Sequence, residues 1–489
     1  MQEDTFFLTV RELADRLASG DVTSVELTQA YLDRAQALDV PPFELPSEPR
    51  TDHDGKLATM VTIAHDHALE SAERADRELS AGRRRSILHG IPYGVKDLLD
   101  TSGIRTTWGS GIFRDRVPDR NAAVIDLLEE AGAVMMAKMS LGEFAGGNTS
   151  SALNPWKLDR TSFGSSSGTV SAAVAGLIGF GIGTETGGSI VFPASAVGAS
   201  GLRPTFGRVS RFGCMALSWS LDKIGPVGRS AEDCGHILQE IASHDARDNC
   251  TVDRPFVFRP EPGPMRGRRL GVHRAEFELS GSETTKRVFR EALDVFAQMG
   301  VEVVDVELPL RPTGALFTTI VTVESGTNFK SLFDDGSAAD MFSFNEDRRA
   351  GWMAGRMMPA ADYLTAQRIR NQLVREADEI LSRYDAVIAP TWPNGAAMRE
   401  VQGGWPIPAR NEWEPPDDVS ASTPRLNYIA NLVGHPGLAI PCGFDEDGLP
   451  LSLQIVGSPM EDQAVLDFGM AFQRETDWHR RRPTFPWRE

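Results

Sequence analysis

The chain has 489 residues, 41% of them hydrophobic, and its 50 basic and 68 acidic side chains give a formal net charge of −18. This length and apolar content support a sizeable buried core, either in one large α/β unit or in two or three domains. The acidic balance disfavours nucleic acid and anionic membranes as direct partners, because like charges repel.

The cysteines and the N-terminal residues indicate in which cellular compartment the protein is expected. Cys214, Cys234, Cys250 and Cys442 form no CxxC pair and are too few for a disulfide framework in a chain of this length. Acidic residues stand near the N-terminus where a signal peptide would carry basic ones. No apolar run reaches the roughly 18 residues that a membrane span needs. These features predict reduced thiols, a cytoplasmic protein and no transmembrane helix.

The first third of the chain predicts alternating helices and strands. Thr23 and Glu26 form a capping box at the start of an apolar helical stripe. A helix followed directly by a strand is the step from which a wound α/β sheet is built. The predicted elements are two helices within 8–39, a helix over 64–81, a strand and turn over 87–99, a helix over 121–131 and a strand over 133–138.

The stretch from Phe163 to Pro204 has the most distinctive pattern in the chain. It combines Gly- and Ser-rich turns with an apolar segment in which hydrophobic residues recur at helical spacing. The pattern predicts a Ser-rich loop over 164–168, a buried helix over 169–178, a short strand over 179–183, a tight turn over 184–189 and a helix over 189–197.

The tight turn has the composition of an anion-binding site. Gly187 and Gly188 precede Ser189, so backbone N–H groups can converge on one point without an intervening Cβ atom. A helix that begins there would add unpaired N–H groups and its positive dipole end. Such a site suits the oxyanion of a tetrahedral acyl-transfer intermediate. The alternative is a glycine-rich turn whose serines only cap helices.

Lys96 lies among apolar neighbours in the stretch IPYGVKDLL. Burial there would favour the neutral amine, which is the form that a general base requires. The alternative is a surface lysine paired with Asp97 or Asp100.

The second half of the chain contains an aromatic- and Met-rich region and a long Pro-rich region. The Phe, Trp and Met residues within 316–358 suit a pocket for an acyl or aryl group, but equally core packing or a dimer face. The stretch 394–422 is typical of a long loop that forms a lid or cleft wall. The other predicted elements are helices over 230–243, 283–299, 360–384 and 461–474, strands over 269–273, 301–308 and 385–391, and a hairpin of 438–443 with 451–456.

Several motifs, in consistent order, resemble the amidase signature family. Lys96 in GIPYGVKD, Ser165 in FGSSSG and Ser189 in GTETGGSI match the lysine and the two serines of that family. Further matches are GLRPTFGRVS over 201–210, SLDKIGP over 220–226, APTWP over 389–393 and QIVG over 454–457. The resemblance spans residues 5–475 and implies a single large α/β domain, in which helices flank both faces of a central, twisted, mixed β-sheet.

The resemblance also suggests how this domain is divided. We expect residues 1–60 to form an N-terminal helical segment packed on the core, and residues 61–489 to form the amidase signature domain. Within that domain, residues 310–425 would be a variable insertion at the substrate cleft.

The family's catalytic arrangement implies a Ser-cisSer-Lys triad in this chain. Ser189 would be the nucleophile, Lys96 the base, and Ser165 the proton relay between them. Ser165 would follow a cis peptide bond from Gly164. Acyl transfer by this route needs no metal ion and no organic cofactor.

Other residues are implied to bind the substrate or its oxyanion. The backbone N–H groups of Thr186, Gly187 and Gly188 would form the oxyanion hole, together with that of Ser189 itself. Candidate substrate-binding residues are Gly164 in the serine loop and Glu143 and Asn148 in an EFAxG-like turn. Glu143 and Asn148 are equally compatible with a purely structural turn.

The sequence departs from the family pattern beside these residues. Phe163 and Ser167 replace glycines of the serine loop, Glu185 replaces the usual Asp, and Val191 stands where the family commonly has Arg. The triad is retained, but a charge two residues after Ser189 is lost. Carry-over of a carboxylate-binding role is therefore not expected.

We expect an amide hydrolase of the C–N bond, acting on neutral small-molecule amides through an acyl-enzyme, with aryl amides, esters and carbamates (urethanes) as further substrates. A second copy of the chain is the expected protein partner. One alternative is a transamidase component similar to the A subunit of an amidotransferase, which would need companion proteins and tRNA. Others are an α/β-hydrolase esterase that uses Ser166 of a GxSxG motif, and a catalytically inactive scaffold.

Overall fold

The computed structural model describes residues 1–39, 56–146, 152–279, 282–341, 346–402, 405–408 and 425–484. The helices are α1 Val10–Ser19, α2 Ser24–Leu38, α3 His65–Ser80, α4 Ala123–Glu130, α5 Ser167–Ala175, α6 Val191–Val197, α7 Ala231–Ile241, α8 Arg274–Phe277, α9 Glu283–Gln298, α10 Thr313–Asn328, α11 Lys330–Asp334, α12 Glu346–Met357, α13 Ala360–Leu381, α14 Leu426–Val433 and α15 Asp462–Glu475. The strands are β1 Met60–Ile63, β2 Pro92–Lys96, β3 Val134–Met139, β4 Phe180–Glu185, β5 Ser200–Arg203, β6 Lys223–Gly228, β7 Arg269–Val272, β8 Glu302–Asp305, β9 Ala386–Pro390, β10 Arg399–Gln402, β11 Trp405–Pro408, β12 Gly437–Phe444 and β13 Pro450–Val456.

One mixed sheet of 11 strands organises the chain, in the order β1-β3-β2-β4-β6-β5-β12-β13-β9-β7-β8. Strand β2 runs parallel to both β3 and β4, whereas β4 runs antiparallel to β6. Because the carboxyl ends of parallel strands meet at one edge of a sheet, the ends of β2 and β4 lie side by side. Open α/β sheets commonly bind ligands at such an edge.

The sheet is covered on both faces, as its apolar strands require. Every residue of β2, β4, β6 and β13 is buried, which is typical of strands between two helical layers. Helices α6, α7, α9 and α15 pack against the central strands. The expected fold, a single α/β domain with a central mixed sheet, is confirmed.

The buried apolar side chains form two hydrophobic clusters. Buried side chains of α1 and α2, such as Leu13 and Tyr31, belong to the same cluster as the central strands. A second cluster joins α10, α13 and α14 to β9. The predicted boundary at residue 60 and the predicted insertion over 310–425 remain predictions.

Most predicted elements are present within a few residues of their expected ends, including the capping box of α2 and the β12–β13 hairpin. The prediction of a long loop over 394–422 is wrong in part, because β10 and β11 form a separate antiparallel hairpin within it. Residues 403–404 and 409–422 of this stretch lie outside the described residues. Within the described ranges, no helix combines the length and apolar character that a bilayer crossing demands.

Candidate active site

Lys96 and Ser165 meet at the carboxyl edge of β2. Lys96 is the last residue of that strand, and the loop that carries Ser165 leads into α5. The peptide bond between Gly164 and Ser165 is cis, as the resemblance implied. Lys96 Nζ lies 2.7 Å from Ser165 Oγ, and both side chains are fully buried. The fold thus joins two predicted site residues that are distant in sequence.

The surroundings of Lys96 favour its neutral form. Nζ lies near hydroxyl oxygens of Ser165, Ser166 and Thr184 and near the carbonyl of Thr184. Within the described ranges, no carboxylate lies within the 4.0 Å of Nζ that defines an ion pair. Burial lowers the pKa of Lys96 from 10.5 to about 7, although Cys214, Asp222 and Glu185 act in the opposite direction. The alternative of a surface lysine is wrong.

The hydrogen bonds around Lys96 leave the lone pair of its amine available to accept a proton. Ser166 Oγ donates to the carbonyl of Thr184 at 3.1 Å, so it must accept from Lys96 Nζ at 3.0 Å. Thr184 Oγ1 and the Thr184 carbonyl, at 2.9 and 3.3 Å from Nζ, offer acceptors for the second N–H of a neutral amine. The amine lone pair is then available for the hydroxyl proton of Ser165.

Ser189 lies at the end of the turn after β4, at the edge of a cavity of about 340 Å³. Gly164, Thr186, Gly187 and Gly188 line the same cavity. The N–H of Ser166 donates to the carbonyl of Ser189 at 3.1 Å, which ties the serine loop to this turn. Ser189 Oγ makes no hydrogen bond to any described group, so its link to Ser165 is not closed in this structure.

The turn presents backbone donors to the cavity. Within the described part of the chain, the N–H groups of Gly187, Gly188 and Ser189 have no acceptor. Gly188 has φ of +139°, and a Cβ atom there would approach Phe192 to 2.4 Å. This conformation therefore requires glycine. Three N–H groups without an acceptor beside a cavity suit the binding of an oxyanion.

The Glu185 carboxylate stabilises the turn and the start of α6 through hydrogen bonds and an ion pair. Its carboxylate accepts from the N–H groups of Ile190 and Val191 at 2.8 and 3.0 Å and pairs with Arg203 at 2.7 Å. Burial alone would raise the pKa of Glu185, but Arg203 and Lys223 outweigh it and hold that pKa below 4.5. Helix α6 begins at Val191, and its first N–H groups are satisfied by this carboxylate. The expectation that the helix contributes unpaired N–H groups to the site is therefore wrong.

Five aromatic rings line the cavity. The ring of Trp392 packs against Phe163 and Phe192, with centroids 5.1 and 5.5 Å apart. Phe317 packs against Tyr428, with centroids 5.6 Å apart. Arg348 is the only charged side chain among the described residues that line this cavity. The site therefore suits an uncharged, apolar or aromatic group.

The three predicted substrate-binding residues differ in their position relative to the cavity. Gly164 lines the cavity. Glu143 is buried away from it, where its carboxylate accepts from Ser110 Oγ at 2.7 Å and its backbone carbonyl accepts from Arg348 at 3.1 Å. Glu143 thus supports the wall through Arg348 and is not among the described residues that line the cavity. Asn148 lies outside the described residues.

The aromatic- and Met-rich region has several environments, so both interpretations hold in part. Phe317 lines the cavity, as expected for a pocket residue. Phe329 and Trp352 stack at 4.4 Å and pack against Phe144 in the core. Met357 is exposed. Phe342 and Phe344 lie outside the described residues.

Sequence reasoning missed the polar groups on α14. Asn427 Nδ2 donates to the carbonyl of Gly187 at 2.9 Å, and Asn431 Nδ2 donates to Glu185 at 2.9 Å. Both are buried. Two asparagines four residues apart in LNYIANLV were a usable signal, because amide side chains seldom lie on an apolar helix face without a partner.

Comparison with known proteins agrees with this geometry. A family model described as Amidase matches residues 50–466. The A subunit of glutamyl-tRNA(Gln) amidotransferase from Roseiflexus sp. is 34% identical, with 98% of each chain covered. Native peptide amidase of Stenotrophomonas maltophilia superimposes with a TM-score of 0.81 at 29% identity, covering 98% of each chain. The corresponding amidotransferase protein of Thermotoga maritima gives 0.76 at 26% identity, covering 99% of each chain. This chain therefore belongs to the amidase signature family of enzymes that act on C–N bonds.

Proposed function

We propose that this protein hydrolyses neutral amides through an acyl-enzyme on Ser189. The observation that carries the proposal is the 2.7 Å contact between Lys96 and Ser165, in a buried environment where no described carboxylate lies within 4.0 Å of Nζ. A lysine with a pKa of about 7 is neutral in a large fraction of molecules at physiological pH. It can therefore accept a proton, which an ordinary lysine cannot do at that pH.

Acylation begins when Ser189 Oγ attacks the substrate carbonyl carbon. The Ser189 proton passes to Ser165 Oγ as the Ser165 proton passes to Lys96 Nζ. The carbonyl oxygen becomes an oxyanion that accepts from the N–H groups of Gly187, Gly188 and Ser189. The C–N bond then breaks, and the proton on Lys96 returns through Ser165 to the leaving nitrogen. Substrate binding closes the Ser189–Ser165 contact, which is open in the free protein.

Deacylation uses the same groups in reverse. Water attacks the acyl carbon and gives one proton through Ser165 to Lys96. The bond from the acyl carbon to Ser189 Oγ then breaks, and the relay returns the proton to Ser189. The products are a carboxylic acid and the regenerated enzyme.

The cavity wall favours substrates with an aryl or other apolar group. Phe163, Phe192, Phe317, Trp392 and Tyr428 supply several ring faces next to Ser189. Ring pairs contribute about 0.5–1.5 kcal/mol beyond simple burial, so an aryl substituent should bind better than an alkyl one. Acyl anilides, aryl esters and aryl carbamates are the substrate classes that fit this wall.

A second candidate is the catalytic component of a glutaminyl-tRNA transamidase. It is supported by the 34% identity to a protein named as the A subunit of glutamyl-tRNA(Gln) amidotransferase, over 98% of each chain. Glutamine carries two charges beside its amide, and the described cavity wall supplies only Arg348 to meet them. The hydrolase is therefore preferred.

Covalent labelling tests the nucleophile. The protein is treated with a fluorophosphonate and the adduct is located by mass spectrometry. We expect modification of Ser189, and neither labelling nor turnover in Ser189→Ala with an unchanged circular dichroism spectrum. An adduct on Ser166 would instead support the α/β-hydrolase alternative, although that serine is buried and Ser162–Ser165 is not a strand. An unlabelled wild-type protein would indicate an inactive scaffold.

A substrate series tests the aromatic wall. Release of aniline from acyl anilides and from aryl carbamates is compared with ammonia release from a short aliphatic amide. Phe163→Gly should raise KM for the aryl substrates about tenfold and leave the aliphatic amide little changed, because one ring face is lost. Glycine also tolerates the φ of +52° at this position. Activity that appears only after adding partner proteins would favour the transamidase.

A further inference from the structure

In the turn that contains Gly187 and Gly188, three successive backbone carbonyl groups accept hydrogen bonds from groups outside the turn. Lys223 Nζ donates to the carbonyl of Thr186 at 3.4 Å. Asn427 Nδ2 donates to the carbonyl of Gly187 at 2.9 Å. The N–H of Phe192 donates to the carbonyl of Gly188 at 2.8 Å. The last is a bond local to α6, whereas the first two come from side chains distant in sequence.

These contacts determine where the N–H groups point. In a trans peptide the C=O and N–H of one unit point in opposite directions, and the peptide units of this turn are trans. A donor that holds the carbonyl of Gly187 on the α14 side therefore directs the N–H of Gly188 to the opposite side. The residues of this turn line the cavity, and that N–H has no acceptor among the described groups.

The Gly187 contact depends on a side chain whose orientation is itself determined. Asn427 Oδ1 accepts from Arg203 Nη1 at 3.1 Å and from Gln454 Nε2 at 3.3 Å. Arg203 has only donors, so the oxygen of the Asn427 amide must face it and the nitrogen must face Gly187. Arg203 is in turn paired with Glu185, which holds the far end of the same turn.

We propose that Asn427 is a positioning residue for the oxyanion hole, acting through the Gly187 carbonyl to direct the Gly188 N–H at the developing oxyanion. This rests on the proposed function of the site. Two adjacent glycines leave this turn with fewer steric restraints than other residues would impose, because glycine has no Cβ atom. The Asn427 amide supplies the restraint that side chains would otherwise impose.

The expected effect is on the chemical step. Loss of one oxyanion donor lowers kcat about 100- to 1000-fold in enzymes of this kind. Loss of a restraint leaves the donor present part of the time, so we expect a decrease of about 10- to 100-fold in kcat. KM should change little, because the aromatic wall is unaffected.

The test uses Asn427→Asp and Asn427→Ala in the full-length protein. The Asp variant is nearly isosteric and keeps an acceptor for Arg203, but its ionised carboxylate cannot donate to Gly187. Both variants should lose kcat, and their affinity for a trifluoromethyl ketone, which forms a tetrahedral oxyanion on Ser189, should decrease in parallel. Ile429→Ala is the matched control, since it creates a cavity on the same helix and leaves the Asn427 amide in place. It should retain kcat at temperatures below its unfolding transition.

The outcomes separate this inference from the proposed function. If wild type is labelled at Ser189 and turns over amides, but Asn427→Asp keeps full kcat and ketone affinity, Asn427 has no positioning role. If Asn427→Ala does not fold, Asn427→Asp alone decides. Equal losses in Ile429→Ala would also overturn the inference, because a general loosening of α14 would then explain them. A wild type without labelling or turnover would refute the proposed function itself.

Discussion

Two lysines on neighbouring strands are both fully buried, yet they have different surroundings. Lys96 ends β2, and Lys138 lies in β3 beside it. Burial lowers the pKa of both, to about 7 for Lys96 and about 8 for Lys138. Lys138 donates to the carbonyl of Leu99 and to the hydroxyls of Thr101 and Thr106, and it faces Asp97 Oδ1 at 3.9 Å.

The difference lies in the partners, since burial is the same. The Lys138 partners are a carbonyl, a carboxylate and two threonine hydroxyls that stabilise a loop, and none of them lines the cavity beside Ser189. The Lys96 partners include Ser165, whose neighbour Gly164 lines that cavity. A buried lysine with a shifted pKa is therefore not by itself a catalytic signal. The group that receives or delivers its proton must also reach a space where substrate can bind.

The largest expected effect is the loss of activity in Lys96→Met. Methionine has nearly the shape of lysine but cannot accept a proton, so kcat/KM should decrease by about 10²–10⁴-fold. Thermal stability should change little, because the variant removes a buried polar group that has no charged partner. Steady-state hydrolysis and the unfolding midpoint are measured on the same preparation. Activity within a few-fold of wild type would exclude Lys96 as the base.

Lys138→Met should have the opposite effect, a loss of stability with little change in activity. It leaves the Asp97 carboxylate buried without its lysine, and breaking such a pair costs about 3–5 kcal/mol in the free energy of unfolding. kcat per folded molecule should remain close to wild type. Urea unfolding provides the measurement, and Lys138→Met combined with Asp97→Asn should restore part of the stability. A large kcat loss in a folded Lys138→Met protein would break the contrast between the two lysines.

The pH dependence of activity tests the protonation state of Lys96. Only the neutral amine accepts a proton, and its pKa is about 7. kcat/KM should therefore decrease about tenfold per pH unit below 7 and reach a plateau above it. The profile is measured from pH 5.5 to 9 in constant-ionic-strength buffer, with circular dichroism at each end to show that the fold persists. A profile that rises toward low pH would require a protonated catalyst and contradict this mechanism.

The smallest expected effect is that of Ser166→Ala. Ser166 accepts from Lys96 and donates to the Thr184 carbonyl, so its removal disturbs the orientation of the amine without removing the proton acceptor. We expect kcat to decrease about tenfold or less, with labelling of Ser189 retained. Complete loss of labelling would favour Ser166 as the nucleophile and the α/β-hydrolase alternative.

Local pattern was sufficient for most of the secondary structure, and the family resemblance was needed to identify the candidate triad. The capping box at Thr23, the apolar spacing of α5 and the Gly187–Gly188 pair are local features, whose backbone consequences depend on neighbours within a few residues. The resemblance of ordered motifs then grouped Lys96, Ser165 and Ser189 before any contact was known.

Tertiary structure alone decided the contacts that give these residues their chemistry. Asn427 reaches Gly187 from 240 residues away, and Arg203 reaches Asn427 across 224 residues. Whether a lysine in an apolar stretch faces a serine, as Lys96 does, or a carboxylate, as Lys138 does, depends on which strands become neighbours. The packing of the whole sheet determines which strands become neighbours, because residues far apart in the chain all contribute to the free energy of burying the sheet.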